Sequence, residues 1–451
     1  MKNKLIIYLV LLSCALYSCD DYLDVEPVGR VIPETIEDFD LLLVGGDFSI
    51  HTTSDENLLY LSADDVTPNA PFIGSLDNLE NPRAKAIRWD KELFFAEAEV
   101  NLWNNPYKNI YTYNVIIENI DNVIGDNEEA RKRIKAEART MRSYEYFILV
   151  NGFAKQYNTS TANGDPGVPL VTTPDVVGDP IGRSSVQEVY DFIIENIAES
   201  INDLPTNALG ITRANKATAY GLLARTYLQM GDYQNAKINA DLALAENGNI
   251  SDYTVTGADL VSLYNVEQYC DRYFGALSGF AGGALSDDLV NQYDIVNDMR
   301  LNGIYQFNFR ANGYTRNFRI KSNHCVSSPE MYLIRAECNA RLANSTVQDV
   351  LDDVNLIRRN RILNYTDETS ITTKEDALSF AVTERRLELL GTGMRWFDLK
   401  RLNKESAFAK TLTHTLGGET YTLEPNSSRY VFPIPPETLN FSPNMEQNIR
   451  D

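Results

Sequence analysis

The sequence predicts a mainly α protein, a tetratricopeptide-repeat helical scaffold carrying a loop-rich irregular region with short strands. Three observations support this. Residues 217–248 place Tyr220, Leu223, Ala224 and Tyr227 on one helix, a turn at Gly231, then Ala236, Ala240 and Ala243 on a second. Alternating large and small residues around a glycine turn is how tetratricopeptide helices cross closely. A second helical block opens at Ser328-Pro329-Glu330, where a capping serine, an N1 proline and an acid at the positive end coincide. Between the blocks, residues 249–327 are rich in aromatic, Asn and Gly residues and carry no helical period.

The remaining elements follow in order. Lys2 and Lys4 precede an apolar run from Leu5 to Leu16, too short to span a bilayer of about 30 Å. Residues 1–18 therefore read as a signal peptide. Leu16-Tyr17-Ser18-Cys19 resembles a bacterial lipobox, making Cys19 the lipidation site and the new N-terminus. The acidic segment from Asp20 to Pro27 is a tether. A small helix is expected over 31–46, an apolar run over 58–65 and a long loop over 66–88. Trp103, Tyr107, Ile110, Asn114, Ile117 and Ile124 recur on one helical face, and Ile134, Ala138, Met141, Tyr144 and Ile148 mark the next helix. Residues 158–184 are loop. Ser185-Val186-Gln187-Glu188 is a capping box opening a helix to about Leu204, stopped by Pro205. Helices are expected over 331–342, 346–360 and 373–390. Residues 430–437 should be extended, because their prolines block helix. The expected organisation is one domain over 19–451: tether and loops (19–100), helical repeats (101–248), an irregular ligand-side region (249–327), then helical repeats and a C-terminal segment (328–451).

Bulk chemistry narrows function. The chain of 451 residues carries a formal charge of −22, which becomes about −24 once the two lysines of the signal are removed. That balance disfavours nucleic acid as a partner. Hydrophobic residues make up 43% and the 25 tyrosines suit wet binding surfaces as well as cores. After Cys14 and Cys19, only Cys270, Cys325 and Cys338 remain, at no zinc or disulfide-framework spacing. Cys270 and Cys325 could pair in an oxidising compartment, and Cys338 reads as packed in a helix. His51, His324 and His414 have no metal or triad partner at recognisable spacing, and no P-loop or dinucleotide fingerprint is present. No cofactor, metal or enzymatic activity is expected.

The order of segments resembles the SusD/RagB family of outer-membrane nutrient-binding lipoproteins. The most specific stretch is Glu384-Arg385-Arg386, Glu388, then Arg395-Trp396-Phe397-Asp398-Leu399. Pro433-Ile434-Pro435-Pro436-Glu437 with Asn444, Gln447 and Asn448 resembles the closing motif. Supporting segments are Lys135 to Arg142 with Tyr144 and Tyr146, Ser286 to Val290 with Asp298-Met299-Arg300, and Tyr332 to Glu337. The resemblance implies an alpha-alpha superhelix of tetratricopeptide type. It implies a non-enzymatic lipoprotein on the cell-surface side of the outer membrane, anchored through its N-terminal lipid. Its partners would be a SusC-like TonB-dependent transporter and an oligosaccharide, or a peptide as in RagB-like members; a lipoprotein glycoside hydrolase is the remaining alternative. Read physically, the charges of the Glu384 to Asp398 stretch are salt bridges holding the repeat block, and Trp396 is a core residue.

Sugars are bound by flat aromatic faces with polar groups at the rim. Candidate ligand residues are therefore aromatics outside helical periodicity. Trp89, flanked by Arg88 and Asp90, leads, with core packing as the equal alternative. Phe72, Tyr269, Tyr273 and Phe274 follow. Tyr264, Phe280, Asn308, Arg310, Asn312 and Tyr314 lie in the same irregular region.

Overall fold

The computed structural model describes residues 33–45, 57–67, 80, 82–96, 98–175, 182–255, 266–274, 284–308, 313–316, 322–323 and 325–451. The expected signal 1–18, Cys19, His51, Phe72, Tyr264, Phe280, Arg310, Asn312 and His324 lie outside the described residues.

Helices dominate. The N-terminal part contributes α1 (Ile36–Gly45), α2 (Asn57–Leu61), the two-residue β1 (Val66–Thr67) and α3 (Pro82–Ile87). The last of these interrupts the expected long loop. Pro82 at the first helical position followed by Arg-Ala-Lys-Ala suffices for one turn and a half, too short to register as a period. The long helices follow: α4 (Asn101–Asn119), α5 (Glu128–Phe153), α6 (Val186–Ser200), α7 (Lys216–Met230) and α8 (Tyr233–Glu246). Local chemistry sets their ends. Asn127 caps α5 by accepting from the Ala130 amide at 3.0 Å. The capping box at Ser185 and Glu188 is present on α6. Gly231 ends α7 in the left-handed region at φ 79°, where a side chain would be strained. Ala224 and Ala236 are fully buried, as the close crossing of α7 and α8 requires.

The central region supplies β2 (Tyr273–Phe274), β3 (Ala284–Leu285), the short α9 (Asp287–Val290), a π-helical turn (Arg300–Ile304), β4 (Tyr305–Asn308), β5 (Gly313–Arg316) and β6 (Ser322–Asn323). The strands pair antiparallel as β1–β3, β2–β6 and β4–β5. The second helical block is α10 (Ser328–Arg341), α11 (Val347–Arg359), α12 (Lys374–Glu388) and α13 (Met394–Leu402). It is followed by the hairpin β7 (Leu412–Leu416) and β8 (Glu419–Leu423), then α14 (Pro436–Phe441). Helix α14 corrects the expectation of an extended stretch through residue 437. Proline is tolerated at the first helical position, so Pro436 starts a helix rather than forbidding one.

The two helical blocks meet in space. α8 packs on α10, and α10 on α11 and α12, so the repeats are continuous although about eighty residues separate them in sequence. The buried apolar cluster runs from Ile36 to Met445 and takes in α4 to α8, α13 and the C-terminal segment. Trp396 is 0% exposed, stacked between Tyr430 at 4.7 Å and Phe432 at 5.8 Å. The chain end is zipped back beside these rings. Gln447 exchanges two hydrogen bonds with the Ile434 backbone, and the Asn448 amide donates to the carbonyls of Phe432 and Phe153. Lys400 is buried, and its ammonium donates to the Asn151 and Ala154 carbonyls at the C-terminus of α5. The negative end of that helix is a favourable place for a cation. Burial nonetheless pulls the Lys400 ammonium down to about 7.

Cys270 and Cys325 form a disulfide with a Cα–Cα distance of 5.8 Å across 55 residues, tying the base of the central region to the start of α10. A loop of this length gives about 4 kcal/mol of stabilisation in the chain-entropy picture. Replacing both cysteines with serine is expected to lower the free energy of unfolding by about that amount in a urea titration. An unchanged midpoint would mean the closure adds nothing.

Candidate functional site

The Glu384 to Arg401 stretch is the electrostatic centre of the molecule. The charged residues at the end of α12 reach several partner elements. Arg385, 2% exposed, donates to Asp398 on α13 at 2.9 Å and to Glu330 on α10 at 3.1 Å. Glu330 also accepts from Arg225 on α7 at 2.9 Å. Arg401 joins Asp398 at 2.7 Å and Glu337 at 2.8 Å. This first group is a chain of buried charges across α7, α10, α12 and α13, as the repeat-block reading expected.

Two further groups reach beyond the repeats. Arg386 binds Asp65 at 2.9 Å and Asp288 at 2.8 Å, while Arg395 forks both oxygens of Asp64 at 2.7 and 2.9 Å. These contacts fasten α2, β1 and α9 to the signature. Burial works against the Asp64 charge, but Arg395, Arg386 and Lys410 outweigh it and hold that carboxyl well below the usual range.

The third group faces the central region. Glu384 and Glu388, one turn apart, accept from Arg300 at 2.7 and 2.9 Å. Arg300 is also bound to Asp298 at 2.7 Å and lies over the Tyr293 ring. Glu388 shares Arg361 with Glu267, at 2.7 and 2.9 Å. Arg300 opens the π-helical turn that feeds β4. Tyr305, the first residue of β4, is 3% exposed and donates to the Leu390 carbonyl at 3.2 Å. The signature therefore grips the root of the β4–β5 hairpin.

The hairpin leaves the core as it proceeds. Phe307 lies two residues beyond Tyr305 on the same strand face, yet it is 46% exposed. Its register partner is Tyr314, and the rings meet edge to face with centroids 5.6 Å apart. An edge-to-face pair of this kind contributes about 0.5–1.5 kcal/mol beyond its area burial. The result is an accessible aromatic platform on an anchored root.

The sequence candidates fall differently. Trp89 sits in the core at 1% exposure, with φ +54°. Its ring stacks on His414 at 4.4 Å and its Nε1 donates to the Ser62 carbonyl at 2.9 Å. A ring so enclosed has no face for a pyranose, so Trp89 moves from the ligand list to the core. Its flanking charges suggested a surface site. Arg88 and Asp90 instead pair with each other while the unusual backbone turns the indole inward. Trp89→Ala is expected to cost about 3–5 kcal/mol of stability; a loss below 1 kcal/mol in chemical denaturation would contradict the packing role. Tyr269 is also buried, at 2%, donating to the Asn247 carbonyl at 2.7 Å. Tyr273 and Phe274 form β2, opposite Asn323 and Ser322. Tyr314 reaches the platform; Phe307 carries no sequence signal of its own, because Tyr-Gln-Phe-Asn-Phe alternates without saying which face is outward.

Among the described residues, no group of three His, Cys, Asp or Glu side chains could hold a metal ion. None of the described helices is long and apolar enough to cross a membrane.

Residues 21–228 match the family described as starch-binding associating with outer membrane, and residues 329–450 match the SusD family. The chain belongs to the SusD/RagB family. The second match contains the whole signature and the C-terminal zipper. Over 99% of both chains it is 24% identical to the SusD-like protein P38 of Formosa agariphila. The SusD-like protein P2 of the same organism is 27% identical over 54% of this chain and 46% of its own. The fold resembles a SusD superfamily protein of Bacteroides thetaiotaomicron (TM-score 0.73, 21% identity, 92% of this chain and 100% of the other). It also resembles a protein described as a laminarin-binding SusD-like protein (TM-score 0.67, 17% identity, 92% and 99%).

Proposed function

We propose that this SusD-family protein captures oligosaccharides at the cell surface and delivers them to a SusC-like TonB-dependent transporter. On this reading it is tethered to the outer membrane through lipidated Cys19 and is not itself an enzyme. The observation that carries the proposal is the Phe307–Tyr314 pair. It offers an exposed apolar surface on a hairpin whose root is fixed by Arg300 and Tyr305. Flat rings of this kind accept the C–H face of a pyranose. Family membership and a laminarin-binding neighbour in fold support the same ligand class.

Incubation with a panel of oligosaccharides, followed by calorimetry and product analysis, tests the reading. Saturable binding with intact glycan is the expected outcome. Released shorter sugars, or binding to peptides and to no glycan, would contradict it. For the anchor, Cys19→Ser should release the protein from the membrane fraction, and retained tethering would contradict lipidation there.

A further inference from the structure

A second recess lies where the two helical blocks meet. α8 and α11 both pack on α10, and the cavity between them has a volume of about 400 Å³. That volume is within the range of small-molecule sites. Among the described residues its lining is wholly polar or charged, and none of it comes from the hairpin that carries Phe307 and Tyr314. Four carboxylates line it, Asp241 from α8 and Asp349, Asp352 and Asp353 from α11, against the cations Lys237 and Arg335.

These charges do not balance. Lys237 bonds Asp241 at 2.8 Å. Arg335 bonds Asp241 at 3.0 Å and forks both oxygens of Asp353 at 2.9 and 2.6 Å. Two cations thereby use up two carboxylates, and Asp349 and Asp352 remain. Both are exposed, three residues apart on one face of α11. One oxygen of Asp349 accepts from the Thr346 amide at 2.7 Å and hydroxyl at 2.8 Å, and one of Asp352 accepts from Gln348 at 2.7 Å. Those donors are neutral. The second oxygen of each carboxylate has no partner among the described residues, so negative charge is left at the cavity.

A buried amide completes the site. Asn339 is 4% exposed and lines the cavity one turn along α10 from Arg335. One end of its amide meets the Ser345 hydroxyl at 3.0 Å, and the other has no hydrogen-bond partner among the described residues. An amide at this depth is costly to leave half-satisfied, so a polar group entering the cavity is favoured there. A metal ion is not that group, because among the described residues no three carboxylates converge to hold one. Two separated carboxylates suit an ammonium, and the amide and the Ser345 hydroxyl suit hydroxyl groups beside it. We propose that this cavity is a second ligand site, taking an amino sugar with a free amine. The ammonium lies between Asp349 and Asp352, and ring hydroxyls meet Asn339 and Ser345. The site is separate from the aromatic platform and does not depend on it.

Calorimetric titration of the full mature chain at about pH 6, where such an amine carries its charge, tests the proposal. The probes are a glucosamine trisaccharide, its N-acetylated counterpart, trilysine and calcium ion. The glucosamine trisaccharide should bind saturably, about tenfold more tightly than the N-acetylated form, which lacks the ammonium. Asp352→Asn should weaken it about tenfold, the size of one charge-assisted hydrogen bond. Asn339→Ala is an independent second variant, and circular dichroism checks that each is folded. Saturating the protein with its best-binding neutral glycan should leave this affinity unchanged. Failure of the glucosamine trisaccharide to bind, equal affinity for its N-acetylated form, wild-type affinity in either folded variant, or competition by the neutral glycan would overturn the second site and leave capture by the platform standing. Binding of trilysine or calcium without the trisaccharide would overturn it in favour of a basic peptide or a metal ion.

Discussion

Replacing Glu330 with alanine is expected to lower the free energy of unfolding by about 3–5 kcal/mol. Glu330 is 0% exposed and is shared by Arg225 and Arg385, which are 1% and 2% exposed. Removing the carboxylate leaves two buried guanidinium groups short of their counter-charge, and the loss comes from that imbalance rather than from the pair's net worth. The effect should depend on pH with a definite sign. Burial raises the Glu330 pKa, but Arg225 and Arg385 outweigh it and hold the carboxyl below its ordinary value of 4.5. A depressed carboxyl contributes stability above the unfolded pKa and loses it as pH falls through the folded one. Glu337, Glu388, Asp398 and Asp64 are depressed in the same way. Wild-type stability should therefore fall steeply below about pH 4.5, and the difference from Glu330→Ala should shrink there. Urea titrations at pH 7 and pH 4 measure both. A gap that stays constant with pH would refute the electrostatic explanation.

Arg300→Met should have a comparable cost in stability and an additional one in binding. It removes the cation shared by Asp298, Glu384 and Glu388 and leaves three buried carboxylates with only Arg358 and Arg361 against them, again about 3–5 kcal/mol. It also frees the turn from which β4 departs. Arg300→Lys should rescue little, since an ammonium cannot span three carboxylates as a guanidinium does. Glu330 provides the control, because it pairs with Arg225 on α7 and Arg385 on α12, while Arg300 pairs with Asp298, Glu384 and Glu388. At a temperature where circular dichroism shows each variant folded, Arg300→Met should lose glycan affinity at least tenfold, while Glu330→Ala keeps it. Equal losses, or none, would show that Arg300 contributes stability without positioning the platform.

Much of the helical scaffold is legible in the sequence because its determinants are local. The glycine turn at Gly231, the capping box at Ser185 and Glu188, and the proline of Ser328-Pro329-Glu330 each act within one turn of chain. The signature was legible as a set of salt bridges, but not its reach. Arg386 meets Asp65 from 321 residues away, and nothing local encodes that pairing. The hairpin β7–β8 carries a local signal of its own. Gly417 and Gly418 both adopt positive φ, 63° and 87°, between alternating residues from Leu412 to Leu423, which is a strong two-residue hairpin signal. Helical periodicity elsewhere does not reveal it. His414 on that hairpin is what covers Trp89, so the burial of the indole depends on this distant hairpin. Phe307 shows the limit of period-two reasoning. Tyr305 and Phe307 share a face, and only the departure of the hairpin from the core separates a buried ring from an exposed one.

The claim on which the account depends is that Phe307 and Tyr314 form the capture surface. Phe307→Ala and Tyr314→Ala, singly and together, titrated with the best-binding glycan, test it directly. The account predicts about a tenfold loss of affinity for each single variant and loss of measurable binding for the double, with thermal midpoints near the wild type. Wild-type affinity in the folded double variant would contradict it.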